Sequence, residues 1–349
     1  MRIFALQSNA KMKNILVTGG AGYIGSHTVV QLIEKGYNPI ILDSFINSDP
    51  AILPRIEQLS GIKPTFYQVD LNDATQLENA LKNEKIDAII HFAAFKAVGE
   101  SVQFPLKYYK NNVQSLVTIL EWALTNNVNN FIFSSSCTVY GEPQEGNEVE
   151  ENSFAEKAKS PYGTTKVIGE QLLRELKFSN PEMNILSLRY FNPIGAHPTG
   201  IIGEWPIGKP NNLVPYITQT AIGVQNELTV YGDDYPTADG TCVRDYVHVV
   251  DLADAHVLGL DYLNKKQYDE VEFINVGTGT GTSVLEIINT FEHISDVKLN
   301  WKFGPKRYGD VPAIYAKVQK AYTHLGWKAK YTMENAIADA WRWEQNIRQ

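Results

Sequence analysis

The chain has 349 residues, 44% of them hydrophobic, with a formal net charge of -8 and a pI near 5.5. That length and apolar content can bury one large core or two moderate ones and exclude the disordered and fibrous classes. The acidic balance disfavours nucleic acid, whose phosphates call for a basic surface, and no apolar run approaches the roughly 20 residues that span a bilayer.

The opening MRIFALQSNAK has no clear period and precedes a second methionine, Met12, so residues 1–11 read as a disordered tail or a tag remnant. There is no basic region followed by an apolar core and a small-residue cleavage site, and only two cysteines occur, Cys137 and Cys242. Together these favour a reducing cytoplasm.

From Asn14, strand-sized apolar runs alternate with helical stretches. NILVT predicts a first strand, residues 23–35 a helix, and NPIILD, TFYQVD, DAIIHFAA and NFIFSSS four further strands. Residues 74–83 and 112–125 are apolar at helical spacing and long enough for right-handed crossovers. The expectation is an α/β fold in which residues 12–190 form a doubly wound, Rossmann-type parallel sheet with helices on both faces. After ILSLRYF the texture changes, with Pro193, Pro198, Pro206, Pro210 and Pro215 crowded together. Residues 191–242 and 279–349 are therefore expected to form a second, smaller α/β domain that binds substrate. Between them, a helix over 250–263 and the strand VEFINVG make one more unit, so 243–278 is expected to return to the first domain. Trp341 and Trp343, with Ala336, Ile337 and Ala340, look like the docking face of a terminal helix. No internal repeat occurs.

The segment TGGAGYIG, residues 18–25, follows the first strand and opens a helix, so Gly20, Gly22 and Gly25 complete a G-x-G-x-x-G in the context that dinucleotide binding requires. Such glycines permit a tight turn and bring backbone N–H groups at a helix N-terminus to a pyrophosphate. The bland alternative is a glycine turn that only packs strand against helix. Asp43 argues against it: it ends the second strand about 20 residues on, where an acid accepts hydrogen bonds from the adenosine ribose. Its charge would repel a 2'-phosphate, which points to NAD rather than NADP.

Tyr162 and Lys166 follow Ser160-Pro161, a helix start, and fall one turn apart on one face. A neighbouring ammonium favours the phenolate and is expected to lower the tyrosine pKa. The spacing alone is weak, since chance supplies about one such pair in a chain with this composition; Tyr262 and Lys266 are a decoy. What distinguishes Tyr162 is the strand ending in Ser134-Ser135-Ser136, whose last residues emerge at the carboxyl edge where ligands bind. A serine there can hold the reacting oxygen while the phenolate takes its proton.

The segments VTGGAGYIGSHT, HFAAFKAVGES, NFIFSSSCTVYG, SPYGTTK, RYFNPIGAHPTG, PNNLVPYI, YGDDYPTADGT, VRDYVHVVDLADAH and GDVPA follow in this order and carry a resemblance that covers nearly everything from Asn14 to about Trp343. They resemble the extended short-chain dehydrogenase/reductases, and within them the UDP-galactose 4-epimerases. The resemblance implies Ser136, Tyr162 and Lys166 as the catalytic trio. It implies NAD contacts from Gly19, Gly22, Tyr23, Ile24, Gly25, Asp43, Phe92, Ala93, Asn111 and Tyr190, with Asp70 at the adenine, Lys96 at the ribose or phosphates, and Lys166 at the nicotinamide ribose.

For the nucleotide sugar it implies Asn192 and Asn212 near the phosphates and Tyr231 beside the uracil. Arg244, Arg307 and Asp310 fall around the diphosphate and ribose; read without the family, the two arginines would be surface or ion-paired residues. The implied reaction interconverts UDP-galactose and UDP-glucose through a transient 4-keto sugar. A homodimer packed through residues 112–125 and 162–178 is also implied.

There are departures. Ile314, four after Asp310, stands where related epimerases carry an aromatic or a small residue, which bears on UDP-N-acetylhexosamines, and Cys242 replaces an expected glycine. A nucleotide-sugar 4,6-dehydratase would need an Asp-Glu pair where this chain has Cys137-Thr138. A net dehydrogenase would consume added NAD, and a non-catalytic sensor would have no use for the trio. The histidines show no ligand spacing, so no metal is expected.

Overall fold

The structure is a computed structural model that describes residues 13–143, 146–153, 158–307 and 309–348; the tail expected over 1–11 lies outside the described residues. The first half alternates β1 (Asn14–Thr18), α1 (Tyr23–Glu34), β2 (Asn38–Asp43), α2 (Ile52–Ser60), β3 (Thr65–Gln68), α3 (Ala74–Leu81) and β4 (Ala88–His91). Two short helices, α4 (Val98–Gln103) and α5 (Pro105–Tyr108), lead through a wide turn into α6 (Gln114–Thr125) and then β5 (Asn130–Ser136). After β6 (Glu148–Val149) come α7 (Pro161–Ser179), β7 (Asn184–Tyr190), β8 (Asn192–Ile194), α8 (Leu213–Ala221), β9 (Leu228–Tyr231) and β10 (Val243–His248). The chain ends with α9 (Val249–Leu263), β11 (Glu272–Val276), β12 (Gly281–Ser283), α10 (Val284–Ser295), β13 (Trp301–Gly304), β14 (Ala313–Ala316) and α11 (Met333–Arg348).

Seven strands form one parallel sheet in the order β11-β7-β5-β4-β1-β2-β3. The apolar runs read as strands because both faces are covered: α1, α2 and α9 contribute to the core on one side, and α3, α6 and α7 to that on the other. The strand order reverses between β1 and β4, and a crevice opens there beyond the carboxyl ends.

A second sheet, β12-β10-β14-β6 with β8 against β10, and a β13-β9 pair lie outside the first. Helices α8, α10 and α11 share a core with them that includes Ile217, Phe291 and Ile337, and Trp343 on α11 is buried as its docking pattern predicts. The interval 243–278 is split between the sheets. Strand β11 joins the large sheet beside β7, and α9 packs on α1, whereas β10 pairs with β8, β12 and β14. The reason is chain continuity, since β8 runs on from β7 past the sheet edge and offers its own edge to β10. The return to the large sheet therefore begins at Val249.

Candidate active site

Ser160 caps α7 by accepting a hydrogen bond from Gly163 N at 3.2 Å, and Pro161 occupies the first helical position. This fixes the start of the helix so that Tyr162 and Lys166 point at the end of β5. Both are buried, at 9% and 4% exposure. Lys166 Nζ donates to Ser134 O at 2.6 Å and lies 5.9 Å from the Tyr162 ring centroid. Ser136, the last residue of β5, shares a hydrogen bond with the Tyr162 phenol. The decoy pair is different: Tyr262 packs on Tyr268, and Lys266 lies beyond the end of α9.

The electrostatics correct the expectation of a depressed phenol. Burial pushes Tyr162 up to about 12, with the Ser136 hydrogen bond pulling against it. Burial also brings Lys166 down to about 7, opposed by the Glu170 carboxylate one turn on. A dry pocket penalises either charge, so the ammonium is itself too costly to favour the phenolate. Glu170 is held in turn by Arg189, with Nη2 to Oε2 at 2.6 Å and both side chains buried, and by the Ser135 hydroxyl at 2.6 Å.

Every residue expected to contact the cofactor lines one cleft of about 400 Å3, with Tyr162 and Lys166 in its wall. Gly19 adopts φ +69°, and a Cβ there would stand 2.8 Å from Ala93 N. A Cβ on Gly25 would stand 2.2 Å from Gly19 O, so helix and turn can approach only with glycine. Gly22 caps α1 with no side-chain acceptor, and the first turn carries no acid. A bare helix N-terminus opening into a cleft suits a diphosphate, so the residues present fit a dinucleotide. Asp43 accepts from Ala21 N at 3.1 Å and from Ser48 Oγ at 2.7 Å; Asp70 accepts from Asn72 Nδ2 at 2.8 Å.

The residues expected at the nucleotide sugar are not gathered in this one cleft. Asn212 lines it, but Asn192, Tyr231, Arg244, Arg307 and Asp310 do not. Four of them cluster: Arg307 Nε reaches Asp310 Oδ2 at 3.0 Å, Arg244 Nη2 approaches Asp310 Oδ1 at 4.0 Å, and the Arg307 guanidinium lies 4.9 Å from the Tyr231 ring. Asn192, on β8, stands in register with Tyr246 of β10. No group of three or more His, Cys, Asp or Glu side chains that could hold a metal occurs among the described residues.

Reading the sequence missed Ser48, Asn72 and Glu204, all in the cleft wall. The polar stretches after β2 and β3 were a usable signal for the first two. Glu204 sits in an irregular loop without any motif.

The sequence matches the NAD dependent epimerase/dehydratase family over residues 15–277. It is 49% identical over 337 residues to UDP-glucose 4-epimerase 2 of Arabidopsis thaliana, covering 96% of this chain and 95% of that protein. It is 47% identical to UDP-glucose 4-epimerase of Bacillus subtilis, with 95% and 97% covered. Among solved structures, the Bifidobacterium longum UDP-glucose 4-epimerase in complex with NAD+ and UDP superposes with a TM-score of 0.93 at 44% identity, over 96% of this chain and 99% of that one. With the glycine turn and the Tyr-Lys pair meeting in one crevice and the strand-end serine beside the tyrosine, the chain belongs to the NAD dependent epimerase/dehydratase family and, within it, to the UDP-glucose 4-epimerases.

Proposed function

We propose that the chain interconverts UDP-galactose and UDP-glucose by inverting C4 of the hexose through a transient 4-keto sugar. The observation that carries this is the juxtaposition of Tyr162 and Lys166, in the wall of the cleft that holds the glycine turn, with Ser136 at the end of β5 beside the Tyr162 phenol. When bound, NAD supplies a reversible hydride acceptor. Tyr162 Oη takes the proton of the sugar 4-hydroxyl and later returns it, Ser136 holds that oxygen in place, and Lys166 stands behind the phenol. Tyr231, Arg244, Arg307 and Asp310 grip the nucleotide away from the reacting carbon. That separation leaves the hexose free to present either face. Arginine suits the diphosphate because its planar fork meets two oxygens at once.

The test is proton NMR of the purified protein with UDP-galactose and no added NAD. UDP-glucose is expected to appear, and no product from NAD-loaded protein would sink the reading.

The division into a cofactor domain and a substrate domain belongs to the same proposal. So does a homodimer: α7 leaves Val167 and Phe178 exposed, the latter at 90%, and the adjoining α4 and α5 leave Val102 and Leu106 exposed. Sedimentation velocity checks it, with a monomer at micromolar concentration counting against it. A cytoplasmic setting is supported by two unpaired cysteines and by the lack, among the described residues, of any helix long and apolar enough to cross a membrane.

A further inference from the structure

Residues 195–212 form a strap, closed by one bridge between Ala196 and Gly203, whose second half, from Gly203 to Asn212, lines the cleft. From the cofactor side, Tyr23 Oη donates to Gly195 O at 2.6 Å, and Arg55 Nη1 donates to Ile201 O at 3.1 Å. From α11, Trp343 Nε1 donates to Glu204 O at 2.9 Å. These outer ties hold the strap's backbone, and among the strap residues that line the cleft Glu204 is the acid.

An acid in a cleft that takes a diphosphate repels its ligand unless its charge is committed elsewhere. Glu204 is so committed. Its Oε1 accepts from Lys96 Nζ at 3.0 Å and from Asn212 Nδ2 at 2.5 Å, and its side chain is only 11% exposed. Lys96 comes from the loop after β4, on the cofactor side, and Asn212 stands at the N-cap of α8, on the nucleotide-sugar side. One carboxylate oxygen therefore joins a residue expected at the cofactor to a residue expected at the substrate.

We propose that Glu204 is a positioning residue that bolts the strap across bound NAD and links its closure to the nucleotide-sugar site through Asn212. The inference rests on the functional reading above. Opening the cleft requires Lys96 and Glu204 to part. A nucleotide sugar that engages Asn212 then shifts the balance of that bridge.

The experiment compares nucleotide retained by purified wild type, Glu204→Ala and Glu204→Gln through successive desalting steps, with KM and kcat for UDP-galactose measured at saturating NAD. Glu204→Ala is expected to release NAD at least about tenfold faster, as loss of a charge-assisted hydrogen-bonded bridge implies, and to raise KM more than it lowers kcat. Glu204→Gln, whose amide oxygen still accepts both bonds, should fall between. NAD release from Glu204→Ala at the wild-type rate overturns the proposal. If that variant does not fold, Arg55→Ala loosens the strap from outside and must also release NAD faster; release at the wild-type rate overturns the proposal equally. Wild type that carries no NAD and yields no epimerisation with NAD added is failure of the functional reading itself, visible before any variant is made.

Discussion

Replacing Gly25 by alanine places a Cβ 2.2 Å from Gly19 O, 2.8 Å from Gly20 Cα and 3.0 Å from Gly19 C. All three are backbone atoms, so no side chain can swing aside. Restoring ordinary contact requires α1 and the glycine turn to separate by about 1 Å, and overpacking of this kind costs about 1–3 kcal/mol. The movement also carries the first N–H groups of α1 away from the position where a diphosphate would meet them, and anion binding there depends on that approach. The expected outcome for Gly25→Ala is a melting temperature several degrees lower and loss of most co-purified NAD, read by calorimetry and by nucleotide released on denaturation. Gly99→Ala is the internal control: nothing lies within 4 Å of its Cβ position, in helix α4, so retention should match wild type and stability should hold or rise by up to about 1 kcal/mol. Gly25→Ala with full NAD occupancy and an unchanged melting temperature would refute the steric reasoning.

Tyr162→Phe removes the proton acceptor but leaves the ring, and is expected to lower kcat by about 10²–10⁴ while NAD content stays at wild type; NMR turnover and nucleotide analysis check both. Lys166→Met bears on pH. Burial lowers Lys166 to about 7 in the folded chain, so the unfolded chain, with its lysine near 10.5, binds more protons across that interval. Stability of the nucleotide-free wild type should therefore rise with pH between about 7 and 10 by up to about 1.4 kcal/mol per unit. The Lys166→Met variant should lack that component in urea unfolding at pH 7 and pH 9, and equal pH slopes would contradict it. Glu170→Ala strands the buried Arg189 guanidinium and should cost about 3–5 kcal/mol in the same unfolding assay.

Much of the large sheet was legible because its strands are covered on both faces, so burial appears directly as apolar runs such as Ile15 to Val17 and Ile40 to Leu42. The glycine turn was legible for a related reason: where a Cβ cannot fit, only one residue type serves, and the requirement shows at fixed spacing. The second half has neither advantage. Strand β10, VRDYVH, looks like a strand in either sheet, and only the edge offered by β8 decides which one it joins. The cluster of Tyr231, Arg244, Arg307 and Asp310 comes from three separate segments, only the last two residues being neighbours in the chain, and composition could not find it; the resemblance alone singled those residues out. Glu204 had no signal of either kind, because its meaning lies in two partners, 108 and 8 residues away in the chain.

The Tyr162-Lys166 pair marks a different boundary. Helical spacing puts the two side chains on one face, and from charge alone the ammonium should favour the phenolate. The outcome depends on how much water the pair keeps, which spacing does not encode. With both side chains buried and Lys166 Nζ held by Ser134 O, desolvation is the largest influence on each of them. The same burial that opposes the phenolate keeps water from the site where a keto sugar would form. Among the described residues Glu170 is the carboxylate placed to hold charge on Lys166, and its buried Arg189 partner limits how much of its field reaches that far. The chain's own charges thus leave the proton on Tyr162, and moving it calls for a change in the cleft that the filled site, rather than the protein alone, must bring.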